Sequence, residues 1–423
     1  MLQINIIREK PDFVRERLCI KNAKYALLID KILETDQQKR QLQNISDNKL
    51  AELNNLSKEI GIFFRQGNKT EAENLKEKTL VIKEEIKKLE SELKEAEKQL
   101  NELLVQLPNL PDINVPIGKT AEDNVIVHSE GDISLRQLQY LPHWDLATKY
   151  SLIDFEAGNK LTGAGFPVYT GKGARLQRAL INFFLDSAVK AGYTEIEPPV
   201  LINEESAFAT GQLPDKEGQM YHIGLDNLYL APTAEVPLTN LYRNIILKVE
   251  QLPVKITAYT NCFRREAGSY GKDVRGLNRI HQFDKVEIVQ VQAPEFSYQT
   301  LEDMRTYVAT ICRQLELPFR IVKLCGGDLS FTSALTYDFE VFAKGQQRWL
   351  EVSSVSNFET FQSNRLKLRF KDKEGKTRLL HTLNGSALAL PRIVAALLEN
   401  NQIEDKIIIP PVLIPYTGFE FIS

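Results

Sequence analysis

The densest run of side chains able to do chemistry is TNCFRREAGSYGKDVRGLNRIHQFDKVEIVQV, residues 260–291. It reads as a strand, a polar loop with glycines, and a second strand. Side chains alternate across a strand, so Arg264 and Glu266 are expected on one face of the first and Phe283, Lys285 and Glu287 on one face of the second. A hairpin that turns both faces the same way gathers a guanidinium, an aromatic ring and two carboxylates over one sheet surface. Such a surface can take a nucleotide. The chain has neither a G-x-G-x-x-G nor a G-x-x-x-x-G-K-[ST] sequence, so a phosphate site has to be built from side chains.

Several elements must hold that hairpin. Strand-like runs (YTEIEPPVLI, ITAYTNCFRRE, HQFDKVEIVQV, RWLEVSSVSNF, LLHTLNG) mix with helical ones (ARLQRALINFFLDSAVKAG, PEFSYQTLEDMRTYVATICRQLEL, SALALPRIVAALLENNQ). Strands follow one another more often than βαβ alternation allows, which predicts an α+β domain on a mixed, mainly antiparallel sheet flanked by helices.

Upstream the pattern changes. Leu75, Thr79, Ile82, Ile86, Leu89, Leu93, Ala96, Leu100 and Leu103 recur in steps of four and three, the seam of a coiled coil. A less regular seam precedes it at Leu42, Ile45, Lys49, Leu53, Leu56, Ile60 and Phe63, with Gly61 and Gly67 bracketing a polar break. Two helices joined by so short a break run antiparallel. The hairpin spans about residues 28–104, and helices of roughly thirty residues make an arm on the order of 45 Å long. Such an arm serves either to reach a distant partner or to dimerise the chain; its Lys and Glu residues are nearly balanced, as on a solvated face. Prolines in LPNLPDINVP, residues 107–116, stop the helix, so the chain divides into an N-terminal part, 1–110, and a catalytic part, 111–423.

Bulk properties narrow the function classes. The chain has 423 residues, 43% hydrophobic and 26% charged, as in ordinary globular proteins. A formal net charge of -3 supplies no general basic field, so any RNA contact has to be local. Cys19, Cys262, Cys312 and Cys325 are scattered without CxxC pairing, which fits a reducing cytoplasm. The start MLQINIIREKPDFVRERL lacks the apolar run of a signal peptide, and no stretch is apolar enough to span a membrane. His128, His143, His222, His281 and His381 show no zinc spacing with the cysteines, and His281 and His381 read as packed rather than catalytic.

FRREAGSYGKDVRGLNRIHQFDKVE resembles motif 2 of the seryl-tRNA synthetases, class II aminoacyl-tRNA synthetases, almost position by position. Other stretches are similar to the same family along essentially the whole chain: APTAEVP at 231–237 to its serine-binding element, WLEVSSVSNFETFQSNR at 349–365 to its metal and nucleotide strand, and HTLNGSALALPRIVAALLENNQ, within 379–402, to motif 3. Residues 174–202 resemble motif 1, with Pro198 or Pro199 as its proline.

The resemblance implies an ATP-dependent ligase that makes seryl-adenylate and charges tRNA(Ser), with tRNA(Sec) as a further candidate acceptor. Adenylate formation needs no general base, because the serine carboxylate is itself the nucleophile, so alignment and charge neutralisation are what such an enzyme supplies. By resemblance Arg264 holds the α-phosphate, Arg392 the γ-phosphate, and Phe283 stacks on adenine. Arg265, Glu266, Ile280, Val352 and Ser353 complete the nucleotide site. Glu351 and Ser354 are the implied Mg2+ ligands, and no zinc is implied. Three apart on a regular strand, those two would face opposite ways, so the role requires a bulge or strand end near Ser353. Thr233, Ala234, Glu235, Glu287, Asn384 and Ser386 are the implied L-serine pocket, the carboxylates near the ammonium and Asn384 and Ser386 near the hydroxyl. A site that hydrogen-bonds a hydroxyl rejects its deoxy analogue by roughly 10⁴ to 10⁵.

The resemblance further implies a cytoplasmic homodimer formed through motif 1, and a hairpin arm that reads the shape and backbone of the long variable arm of tRNA. The loop Gly268–Gly276, with Lys272 and Arg275, would meet the acceptor end. Departures from the family pattern are Ala387 and Pro391, where glycines are expected, and Arg265, where serine is frequent. On its own chemistry, Asn384-Gly385 also fits a plain strand-to-helix turn with Ser386 as N-cap. Two rivals stand beside the ligase: a carrier-protein-loading enzyme of the same fold, against which the arm argues, and an inactive paralogue acting as an RNA-binding or structural module, against which the full set of charged residues argues.

Overall fold

The computed structural model describes residues 1–135, 139–215, 217–266 and 275–423. Two compact units emerge, Met1–Pro108 and Asn109–Ser423.

The first unit is helical. Three short helices lead into α1 (Ile29–Arg65) and α2 (Lys69–Val105), each of 37 residues and therefore about 55 Å long. The turn between them holds Gly67 at φ +79°, a conformation open to glycine at little cost. Asn68 caps α2 by accepting from the Glu71 N–H at 3.4 Å. Ion pairs Lys39–Glu97 at 3.1 Å and Lys49–Glu85 at 2.8 Å set the antiparallel register. On α2 the predicted seam is the buried one, through Thr79, Ile82, Ile86, Ala96, Leu100 and Leu103.

On α1 the structure corrects two readings. Ile45 is 47% exposed and Ser46 is buried in its place, so the seam is regular after all (42, 46, 49, 53, 56, 60, 63), with a small polar residue at one core position. Gly61 lies within α1 and does not mark its end. Lys49 tolerates its seam position because its half-buried stem carries the ammonium out to Glu85 and Glu52.

The second unit is built on one eight-stranded sheet. Its strands are β1 (Val125–Glu130), β2 (Thr194–Glu195), β3 (Val254–Phe263), β4 (Gln282–Gln292), β5 (Phe319–Lys323), β6 (Leu335–Ala343), β7 (Arg348–Asn357) and β8 (His381–Ala389). They lie in the order β1-β5-β6-β7-β8-β4-β3-β2. Every pairing is antiparallel except that of β2 with β3. The mixed, mainly antiparallel sheet expected from the order of strand-like runs is thus present.

Helices α3 (Gly171–Lys190) and α4 (Ser297–Gln314) cover one face. Gln177 on α3 donates to Asp284 at 2.7 Å, and Met304 on α4 approaches Gly385 so closely that a Cβ there would sit 3.4 Å from its Cε. The opposite face carries Phe283, Lys285 and Glu287, and is left for a cavity. Helix α5 (Leu390–Asn400) follows β8 directly, with Pro391 in its first turn, where the missing N–H costs nothing. Pro391 therefore neither breaks nor bends the helix before Arg392. Strand β8 runs on to Ala389, so Ser386 is a strand residue and not an N-cap, which corrects the turn reading.

The arm's stability is expected to rest on its seam: Ile82→Ala should cost about 2–4 kcal/mol, and Ile45→Ala under about 0.5 kcal/mol. Urea titration followed by helical circular dichroism checks the contrast, and equal costs would contradict the seam.

Candidate active site

A cavity of about 690 Å³ opens on the uncovered face of the sheet, within the size range of small-ligand sites. Register places its walls. Thr336, Ser356, Asn384, Val289 and Ile256 form one row across five strands, and Glu287 stands beside Ser386 in the next. Between Lys285 and Glu287 the β4–β8 ladder shifts, the extra length lying at Ala387 and Leu388, where Leu388 takes φ +144°. The family departure at Ala387 falls in this bulge, where glycine would be least strained.

The expected irregularity near Ser353 is present: Ser353 pairs with Phe339 and Glu351 with Glu340, so β7 carries one extra residue at Val352. Glu351 and Ser354 thereby reach the same cavity, Ser354 Oγ donating to Glu351 Oε1 at 3.4 Å. Asp338 stands opposite Ser354 in the ladder, its Oδ1 buried without a partner. Burial, then the nearby Glu351 carboxylate, raises its pKa well above the usual range.

The predicted geometry of the first strand needs correction. β3 ends at Phe263, and Arg264, Arg265 and Glu266 lie beyond it. The Arg264 N–H still donates to His281 O at 2.9 Å, which carries the alternation of Ala258, Thr260 and Cys262 one step further and sends Arg264 into the cavity. Its guanidinium lies 5.2 Å from the Phe283 ring centroid. Glu266 adopts φ +48° and pairs with Arg279, yet still lines the cavity. Arg265 donates its N–H to Gln219 O at 2.9 Å and is not a lining residue. Of the expected motif 2 loop, only Arg275 and Gly276 fall within the described residues.

At the floor, Glu287 is 1% exposed, and its Oε2 receives three donors: Lys285 at 2.5 Å, Ser386 at 3.3 Å and Thr233 at 3.4 Å. Glu235 is also buried; Gln362 donates to it at 2.6 Å and is itself held by Thr382 at 2.7 Å. Desolvation first, and the Glu287 charge second, push the Glu235 carboxyl up to about 7. Two buried carboxylates thus share one lysine, and a second cation would complete the balance. Ala234, fully buried as N-cap of the helix Glu235–Asn240, supports this wall without lining the cavity.

Lys285 and Gln362 are functional candidates to which the sequence reading gave no role. Strand alternation already put Lys285 on the right face. Nothing local marks Gln362, which arrives from a helix, Thr360–Leu366, distant in the chain.

At the opposite end, Arg392 donates to Glu351 O at 2.7 Å and to Asn278 O at 3.1 Å. His281 stacks on Phe166, with ring centroids 5.3 Å apart, and His381 is hydrogen-bonded to Ser297 at 2.7 Å. Burial lowers His381 to about 4. Both are packed residues. Among the described residues no cluster of three His, Cys, Asp or Glu side chains could hold a metal ion.

Comparison with known proteins fits this arrangement. Residues 1–111 match the seryl-tRNA synthetase N-terminal domain, and residues 221–401 match the tRNA synthetase class II core domain (G, H, P, S and T). A serine–tRNA ligase from Salinibacter ruber is 48% identical over 421 residues, 99% of this chain and 98% of that one. The chain belongs to the seryl-tRNA synthetase family. A second member, the serine–tRNA ligase of Chlorobaculum parvum, is 44% identical over the full length of both chains. The crystal structure of the seryl-tRNA synthetase from Pyrococcus horikoshii complexed with ATP superposes with a TM-score of 0.94 at 33% identity, covering 100% of this chain and 99% of that one.

Within this family site the shared lysine sets the acid balance. Lys285 lowers the Glu235 pKa, so Lys285→Met is expected to move it upward from about 7. Carboxyl titration by ¹³C NMR checks this, and an unchanged or lower value would contradict it.

Proposed function

We propose that this chain activates L-serine with ATP and transfers the seryl group to tRNA(Ser), with the cavity residues divided into an amino-acid end and a phosphate end. The observation that carries the reading is the pair of buried carboxylates, Glu235 and Glu287, that share Lys285 in a cavity also lined by Arg264 and Arg392. A serine ammonium supplies the missing positive charge. Thr233 and Glu235 face that ammonium, while Asn384 and Ser386 lie in register on β8 to hydrogen-bond the hydroxyl. Alanine would leave those polar groups unpaired.

With its ammonium fixed, serine points its carboxylate toward Arg264. One carboxylate oxygen attacks the α-phosphorus, and the bond from that phosphorus to the pyrophosphate oxygen breaks. Arg264 offers two N–H groups to the α-phosphate oxygens as charge builds there, and Phe283 supplies the plate for adenine. Arg392, steadied by two carbonyls, is positioned for the γ-phosphate, with Glu266 and Ile280 on the nucleotide side.

Glu351 and Ser354 suit Mg2+: both offer hard oxygens, and the unpartnered Asp338 Oδ1 lies opposite Ser354 in the ladder behind them. With only these side chains, the ion would complete its shell from phosphate oxygens and water, as Mg2+ commonly does. When bound, it neutralises phosphate charge.

The helical arm of α1 and α2 is assigned to the long variable arm of tRNA. The terminal ribose hydroxyl of the tRNA attacks the adenylate carbonyl, and AMP leaves. The same chemistry extends to tRNA(Sec). Among the described residues no helix is long and apolar enough to cross a membrane, and we place the chain in the cytoplasm as a homodimer formed through residues 174–202.

Serine alone among the twenty amino acids should support ATP–pyrophosphate exchange. Arg264→Ala should lower its kcat by about 10² to 10³. Removing residues 28–104 should spare exchange and abolish charging. No exchange with serine, or full charging without the arm, would overturn the corresponding half of the assignment.

A further inference from the structure

Glu399 lies seven residues beyond Arg392 on α5, two turns along the same face of the helix, and its side chain is 0% exposed. A lone buried carboxylate is costly, and here four donors converge on it. Oε1 receives the His143 backbone N–H at 2.9 Å, His143 Nδ1 at 2.8 Å and Gln346 Nε2 at 2.8 Å, and Oε2 receives the Gln346 backbone N–H at 3.0 Å.

Both partners pass the constraint onward. His143 Nε2 accepts the Leu277 N–H at 2.8 Å, which leaves Nδ1 to carry the ring hydrogen toward Glu399. Gln346 Oε1 accepts from Asn278 Nδ2 at 2.8 Å. The chain approaches so closely that a Cβ at Gly276, φ +66°, would lie 2.2 Å from His143 Nε2. Leu277 and Asn278 are thus clamped side by side, and the Asn278 carbonyl is one of the two that bracket Arg392.

We infer that Glu399 is a positioning residue for Arg392, acting through His143 on the Leu277 backbone N–H and through Gln346 on the Asn278 side chain. The inference rests on the γ-phosphate role given to Arg392 above. Glu399 touches no part of the cavity itself; it sets the carbonyl against which the guanidinium is aimed. Glutamine at 399 would turn an NH2 group toward at least one of the four donors and loosen the clamp without changing volume.

The test is a double-mutant cycle read as ATP affinity by isothermal titration calorimetry, with no serine present. Arg392→Ala should weaken ATP binding about tenfold, and Glu399→Gln about fivefold in the parent but less than about 1.5-fold in the Arg392→Ala background. The serine KM at saturating ATP should stay within about twofold in Glu399→Gln. If Glu399→Gln does not fold, Gln346→Ala, which removes the Asn278 contact and one Glu399 donor but keeps the His143 branch, takes its place with the same expected pattern. Equal losses of ATP affinity in both backgrounds, or none in the parent, overturn the inference while leaving the Arg392 assignment standing. An Arg392→Ala protein with unchanged ATP affinity removes that assignment and the inference with it.

Discussion

Glu287 is the point on which the site turns. Its carboxylate is almost fully buried and one oxygen gathers Lys285, Ser386 and Thr233 from three segments. Ionised carboxylates survive burial only when donors or cations surround them. Glu235 sits close enough to feel that charge, and even with Lys285 and Arg264 acting on it, its carboxyl stays pushed up to about 7. The cavity therefore carries a built-in preference for a ligand with an ammonium group, before any hydroxyl or nucleotide is considered. Water-exposed acids at the same spacing would be screened and would select nothing.

The sheet converts this local electrostatics into a complete site. Strand β4 presents Phe283, Lys285 and Glu287 along about 13 Å on one face, at the usual rise of a strand. Its neighbours supply Arg264 on one side and Asn384 and Ser386 on the other. Two departures from regular pairing adjust the aim: the extra residue at Val352 swings Glu351 and Ser354 to one side, and the bulge at Ala387–Leu388 shifts the ladder just before Ala389, its last pair ahead of α5. Bulges recur beside functional sites because they re-aim a side chain that strict alternation would misplace. Helices α3 and α4 close the opposite face, so the polar groups over the cavity stand on a rigid, dry support.

Much of this was legible in residue order. Period-two alternation in 283–287 is a local fact that carries directly to which face each side chain takes, whereas the three-residue spacing of Glu351 and Ser354 points them to opposite faces unless a bulge intervenes, as one does at Val352. The α2 seam was legible for the same reason. What the chain order concealed depends on exact termination or on distant partners. β3 stops at Phe263, one residue short of Arg264, although backbone pairing to His281 preserves the face. The α1 seam selects Ser46 over Ile45, because the heptad register of a packed pair outweighs the hydrophobicity of one residue. Ser386 reads as a helix cap until β8 is seen to continue past it. Gln362 and Glu399 carry no local signature at all, since each matters only through partners on other elements, Glu235 for the one and His143 and Gln346 for the other.

The central claim is that two buried carboxylates share Lys285, and that the Glu235 carboxyl stays pushed up to about 7 until a ligand cation arrives. Calorimetry of a non-hydrolysable seryl-adenylate analogue, repeated in buffers of different ionisation enthalpy, counts the protons exchanged on binding. The account predicts net proton release at pH 6.5, where the analogue's α-amino group, with an ordinary pKa of about 7.7–8.0, is already protonated and Glu235 is the group that must ionise. Binding at pH 6.5 with no proton release, or with uptake, would show that Glu235 is already ionised or never ionises, and would contradict it.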